Sequence, residues 1–209
     1  EIGKEHPAYR FIEDRRIPND NDIYLVNQFY SWTNNLVPNK FPTLDGDHPR
    51  MVIPFRDSNG DIFAYQGRAF GKEKPKYITI ILDESVPKIF GLDRVDPSRD
   101  IFVVEGPIDS LFIQNCIAVA QSDLRVPQYK DKAILVPDNE PRNKQIIQQL
   151  ERAIDDNYRV VIWPDYVRQK DINDMILSGL DAVEIMDIIS NNTFQGLSAK
   201  VELQKWKRT

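Results

Sequence analysis

Residues 101–109 are Ile101-Phe102-Val103-Val104-Glu105-Gly106-Pro107-Ile108-Asp109. Four consecutive apolar residues rich in β-branched side chains make a strand of the kind buried on both faces. Carboxylates then follow at once, at its carboxyl end. Working outward, Asp109 to Cys116 predicts a short helix with Leu111, Phe112 and Cys116 on one side. Further apolar strands are expected at Ile117–Ala120, Ala133–Val136 and Arg159–Trp163. Between the last two, residues 142–157 carry Ile146, Ile147, Leu150, Ala153 and Ile154 on one helical face. A helical tail follows, in which Asp181 and Glu184 form an acidic capping pair ahead of Ile185, Met186 and Ile189. Short strands alternating with helices imply an α/β fold, a parallel sheet flanked by helices.

In such a sheet, ligands sit beyond the carboxyl ends of the strands. Val104 is followed by Glu105 and Asp109; Pro137 by Asp138-Asn139-Glu140; Trp163-Pro164-Asp165 precedes Lys170-Asp171-Ile172-Asn173-Asp174. Asp109 alone is as well explained as a helix cap. Three acidic strand ends together are not, because carboxylates crowded on one edge repel one another unless a cation joins them. An oxygen-only donor set, with one cysteine (Cys116) and two histidines (His6, His48) in the whole chain, selects Mg²⁺ or Mn²⁺ over zinc.

The first hundred residues follow another pattern. Ala8, Phe11, Ile12 and Arg15, behind Pro7, predict a helix that ends at Ile17-Pro18. Asp20 or Asp22 is the expected cap of a second helix through Leu25, Val26, Phe29 and Tyr30. Met51–Phe55 and Ile62–Tyr65 flank Asp57-Ser58-Asn59-Gly60, which predicts a hairpin, and Ile78–Leu82 is a further strand. Between them, residues 67–77 carry Arg68, Lys72, Lys74 and Lys76 against the single acid Glu73. Tyr65, Phe70 and Tyr77 are expected in the hairpin core rather than stacked on bases.

The 209 residues, 41% hydrophobic and 28% charged, suit a globular protein of one or two domains, and no apolar run is long enough to span a membrane. The net charge of −5 argues against a protein that coats DNA regardless of sequence. That charge is uneven: residues 100–190 hold 16 acids and 9 bases, the remainder 16 and 18. The expected organisation is a helical and α+β basic subdomain at 1–99, the acidic α/β domain at 100–190 and a C-terminal tail at 191–209.

Glu105-Gly106-x-x-Asp109, Asp138-x-Glu140 and Lys170-Asp171-x-Asn173-Asp174, in that order at strand ends, resemble the acidic motifs of the Toprim domain. Glu140 departs from the Asp found in many members, which alters the reach of that carboxylate. Upstream, Ile53-Pro54-Phe55-Arg56-Asp57-x-x-Gly60, Gln66-Gly67-Arg68, Pro75-Lys76-Tyr77 and Phe90-Gly91-Leu92 are similar to the basic subdomain that precedes Toprim in DnaG-type primases. The wording of residues 102–110 is closer to bacteriophage primases than to cellular ones.

The resemblance covers roughly residues 50–180 and implies an RNA-primer-synthesising nucleotidyltransferase. Its partners would be a single-stranded DNA template, ribonucleoside triphosphates and a replicative helicase, in the cytoplasm of an infected bacterium. It implies catalytic roles for Glu105, Asp109, Asp138, Glu140 and Asp171. Metal contacts would come from Glu105, Asp138, Glu140, Asp171 and Asp174, holding two Mg²⁺ or Mn²⁺ ions. Arg68 and Lys76, with neighbouring Lys74 and Lys88, would contact nucleic acid or nucleotide. A zinc ribbon, usual in such primases, needs cysteines this chain lacks, so it is expected on chain preceding Glu1, the alternative being a separate chain that supplies it. The alternatives are a Toprim metal-dependent nuclease, or a non-catalytic replisome module that binds nucleotide or single-stranded DNA.

Overall fold

The computed structural model describes residues 6–18, 22–120 and 123–208. They form two compact units, Glu1–Lys88 and Ile89–Thr209.

The first unit is an antiparallel sheet of order β1-β2-β3-β4 with two helices. Helix α1 (Pro7–Asp14) begins with its proline in the first turn, and the His6 side chain accepts from the Ala8 N–H. Strand β1 (Tyr24–Val26) pairs with β2 (Arg50–Arg56) in the register Tyr24↔Val52. Helix α2 (Phe29–Leu36) lies between them in sequence. Strand β3 (Ile62–Ala69) returns beside β2 after a turn in which Asp57 accepts from the N–H groups of Asn59 and Asp61 and Gly60 takes φ +88°. Strand β4 (Tyr77–Ile81) completes the sheet.

The expected second helix is therefore split. Tyr24-Leu25-Val26 is drawn into the sheet edge, where aromatic and β-branched side chains are favoured. Helix α2 is capped not from the residues just before it but by Asp47, whose carboxylate accepts from the Tyr30 and Ser31 N–H groups at 2.8 and 3.0 Å. Asp22 pairs instead with Arg56 at 2.9 Å, and Asp20 lies outside the described residues. Phe29 is fully buried and packs with Val52, Tyr65 and Ile80. Gly67 makes that packing possible: a Cβ there would stand 2.4 Å from the Phe29 ring.

The second unit is a five-stranded sheet of order β6-β5-β7-β8-β9. Strand β5 (Ile101–Val104) leads through the short helix α3 (Pro107–Ser110) to β6 (Cys116–Ala118). Strand β7 (Ala133–Leu135) leads through α4 (Lys144–Asp155) to β8 (Arg159–Val161). These four strands are parallel. Helix α5 (Ile172–Ser178) and helix α6 (Ala182–Asn191) follow, the latter closed by the full Asp181–Glu184 capping box. The predicted apolar face of α4 is buried at all five positions, each large side chain contributing about 1.5–3 kcal/mol.

Three details differ from the sequence reading. The helix expected at Asp109–Cys116 stops at Ser110; further on, Asn115 takes a left-handed φ of 52° and its side-chain amide donates to the Asp96 and Asp100 carbonyls. Residues 89–99 cluster with the second unit rather than the first: Phe90 and Ala118 exchange backbone hydrogen bonds of 2.7 and 3.0 Å along the edge of β6. Residues 191–209 do not form a separate tail. Strand β9 (Thr193–Phe194) adds to β8 antiparallel, and α7 (Gly196–Trp206) packs on α4 and β8 with Ala199, Leu203 and Trp206 buried.

Candidate active site and nucleic-acid-contacting residues

The order of the second sheet decides where a site can form. Strand β5 connects to β6 on one side of it, while β7, on its other side, connects onward to β8. The connections leave in opposite directions, so a crevice opens beyond the carboxyl ends of β5 and β7, the place where ligands bind open α/β sheets. Glu105 follows β5 and Asp138 follows β7 at that point.

Glu105 borders a small cavity lined chiefly by Leu124, Leu135, Pro137, Ile146 and Leu150. Loss of water there, reinforced by the Asp138 charge, pushes its carboxyl up to about 7, although the Asp138 backbone N–H donates to it. Asp138, with 20% of its side chain exposed, is pushed up to about 6, mainly by burial and further by Asp171 and Glu140. Two neighbouring carboxyls thus both resist ionisation.

One cation answers them. Lys170 places its ammonium 2.5 Å from Glu140 Oε1 and 3.4 Å from Asp138 Oδ2. That contact lowers the Glu140 carboxyl below its ordinary range and raises the Lys170 ammonium. The other Glu140 oxygen accepts from Asn143 Nδ2 at 2.7 Å, and Asn143 Oδ1 in turn caps α4.

Two of the expected site acids are committed to a helix end. Asp171 is the N-cap of α5 and accepts from the Asp174 N–H at 2.8 Å. Asp109, on α3, accepts from the Asn173 N–H of the same turn at 2.9 Å. The acids of all three strand ends therefore meet around the start of α5, where the helix dipole favours negative charge. Asp174 lies in the first turn of that helix. Among the described residues, no three His, Cys, Asp or Glu side chains already converge as a metal cluster. The donor chemistry nonetheless fits a hard divalent ion: all oxygens, two of them on carboxyls whose ionisation only a cation would favour.

The basic residues of the first unit divide sharply. Arg68 is 5% exposed, so it does not offer phosphate contacts from a surface as expected. Its guanidinium sits 3.9 Å from the centroid of the Phe11 ring and donates to the Ala69 carbonyl and the Tyr77 hydroxyl. Lys74 and Lys76 are exposed, as is Lys72, on the loop between β3 and β4, with the Lys76 ammonium 5.5 Å from the Tyr77 ring centroid. Lys88 is half-buried. Tyr65 is core, donating its hydroxyl to Thr33 at 3.0 Å, whereas Tyr77 is 44% exposed.

Lys170 is the functional residue whose role the motif does not specify. Its position directly before Asp171 was the available signal. Asn139 and Asn143, amides beside acids, gave none.

The two-unit plan, an antiparallel sheet with helices followed by a parallel sheet edged with acids, is that of the Toprim-containing RNA polymerase domain of DnaG-type primases. Such a domain from Mycobacterium tuberculosis superposes with a TM-score of 0.68 at 16% identity, covering 91% of this chain and 77% of that one. A DnaG primase catalytic domain bound to single-stranded DNA gives 0.65 at 16% identity, covering 95% and 77%.

In sequence, the chain is 38% identical over 214 residues to the DNA primase of Enterobacteria phage T4. That match takes in 99% of this chain and 62% of the phage protein, so the chain spans about six tenths of its relative's length. No family model matches the chain.

Proposed function

We propose that this chain is the catalytic core of a primase, joining ribonucleotides on a single-stranded DNA template. The observation that carries the reading is the acid edge at the switch point between β5 and β7, where Glu105 and Asp138 lie half-buried beside each other. Caps and ordinary ion pairs do not need two mutually repelling, half-desolvated carboxyls; a site that works with a divalent cation does.

Glu105, Asp138, Glu140 and Asp171 would hold Mg²⁺ or Mn²⁺, with Asp109 and Asp174 fixing the turn from which Asp171 projects. When bound, such ions supply activation of the attacking 3′-oxygen and charge relief on the departing pyrophosphate. The chain's own residues do the rest. At neutral pH without a cation, the Glu105 carboxyl retains a proton through much of the population. Lys170 holds Asp138 and Glu140 ionised and in place. Lys72, Lys74 and Lys76 supply point charges for template or nucleotide phosphates, with Tyr77 beside them as a stacking face. Few such contacts mean modest, salt-sensitive DNA binding.

The test is primer synthesis from labelled ribonucleotides on single-stranded DNA with Mg²⁺ or Mn²⁺, beside Asp138→Ala. Short RNA made by the parent and absent from the variant supports the reading. Degradation of the template by the parent would assign the same acids to a nuclease, and template binding with neither product would leave a replisome binding module.

A further inference from the structure

Asn139 stands between the two acids that follow β7, and its amide serves neither. Its Nδ2 donates to the carbonyls of Val167 and Gln169 at 3.0 and 3.1 Å, and its backbone N–H donates to the Lys170 carbonyl at 2.6 Å. Its Oδ1 accepts from Trp206 Nε1 at 3.1 Å. Both amide hydrogens are thus spent on one loop and the oxygen on the C-terminal helix. Trp206, 6% exposed, ends α7. Two residues on, the Arg208 N–H donates to the Pro141 carbonyl at 2.8 Å and its guanidinium pairs with Asp165 at 2.9 Å.

The 165–170 loop is therefore tied along its length to the acid loop and at its start to the end of α7. What the loop delivers is Lys170, whose ammonium faces Glu140 and Asp138 from a flexible, 53% exposed side chain. A long stem of that kind gains a defined position only if the backbone beneath it is fixed.

We propose that Asn139 and Trp206 are positioning residues. They clamp the 165–170 loop so that Lys170 stands against Asp138 and Glu140, and they thereby couple the C-terminal helix to the acid edge. The proposal deepens the nucleotidyl-transfer reading and rests on it. It also explains why an amide occupies position 139: an alanine loses all three side-chain bonds, and an aspartate would face two carbonyls with no hydrogen to give. Misplacement of a site group by about an ångström costs on the order of 10²-fold in rate, so loosening the clamp is felt in the chemistry.

The experiment uses the full chain and five variants: Asn139→Ala, Asn139→Asp, Trp206→Phe, Lys170→Ala and the Asn139→Ala/Lys170→Ala double. Trp206→Phe keeps an aromatic ring but removes the N–H, which separates the hydrogen bond from the packing. Hydrogen–deuterium exchange over residues 165–171 is expected to speed up about 10-fold in both Asn139 variants and about 3-fold in Trp206→Phe, with the sheet amides of β5 and β7 unchanged. Primer synthesis is expected to fall about 10–100-fold in Asn139→Ala, the usual loss when a supporting residue goes.

The double variant should be no slower than Lys170→Ala alone, because both changes remove the same thing. Multiplying losses, or unchanged exchange in 165–171, would overturn the clamp. Primer synthesis absent from the parent would instead overturn the nucleotidyl-transfer reading, and the exchange data would still decide whether Asn139 holds the loop.

Discussion

Charge is handled in opposite ways in the two units. In the antiparallel unit the buried charges among the described residues are the cations Arg50 and Arg68, and both are engaged by structure, although Arg50 Nε has no hydrogen-bond partner. Arg50 is fully buried; its guanidinium donates to the carbonyls of Gly67, Pro75 and Lys76 and lies 5.5 Å from the Phe29 ring centroid. Arg68 is held likewise between Phe11, Tyr77 and Ala69. In the parallel unit the acid edge brings half-buried anions together, with Lys170 facing two of them. Satisfied buried charge staples a fold, whereas unsatisfied buried charge is kept for a ligand. The comparison teaches where to look for chemistry: not at the most buried charges, but at those the protein leaves uncompensated.

The largest test of that contrast is Arg50→Ala. It removes the guanidinium bonds to three carbonyls and opens a cavity under Phe29, so a loss of about 3–5 kcal/mol in unfolding free energy is expected, read by urea melts. A loss below about 1 kcal/mol would mean Arg50 is no staple.

Glu105→Gln should act in the other direction. The folded-state values of Glu105 and Asp138, about 7 and about 6, lie above their ordinary 4.5 and 3.8, so the native protein keeps protons the unfolded chain has released. Their contribution is full below about pH 4 and is lost as pH climbs through 6 to 7. Metal-free protein should therefore weaken across that window. Glu105→Gln should be more stable than its parent at pH 8, by about 2 kcal/mol, while losing primer synthesis. Millimolar Mg²⁺ should narrow the gap by stabilising the parent alone. A pH-flat parent would break the idea that these carboxyls are uncompensated.

The smallest effects separate cations that staple from cations that bind. Arg68→Lys should cost about 1–2 kcal/mol of stability through lost ring stacking and forked bonds, with the salt dependence of DNA binding unchanged. Lys76→Ala should leave the melting temperature in place and reduce the slope of log affinity against log salt by about one. Exchange of these two outcomes would return Arg68 to the binding surface.

Much of this was legible in advance. Period-two and buried-run patterns located β2, β3 and every parallel strand, and the five-residue apolar face of α4 matched its burial. Glu105 and Asp138 could be placed at strand ends because each closely follows its parallel strand, whereas Asp171 reaches the same edge through the loop after β8, as the N-cap of α5. The differences in the sheets share one cause. Tyr24-Leu25-Val26 became a strand because a sheet edge was available, and α2 found its cap at Asp47, across the β1–β2 connection. Residues 193–194 joined the sheet for the same reason. Local spacing carries no information about which distant edge is open.

What the sequence determined by itself was the class of fold and the placing of acids after its strands, since these depend on residue type and order along the chain. The tertiary structure alone decided which charges are spent. Arg68 and Lys76 are eight residues apart and look alike in a basic run, yet one is buried at 5% exposure under Phe11 and the other is open to solvent. Likewise, only packing shows that Asn139 holds the Lys170 loop and that Trp206, more than sixty residues on, completes the grip. The physical reason is the reach of the forces: hydrophobic periodicity acts along the chain, while desolvation and hydrogen-bond pairing act across it, between neighbours that only folding supplies.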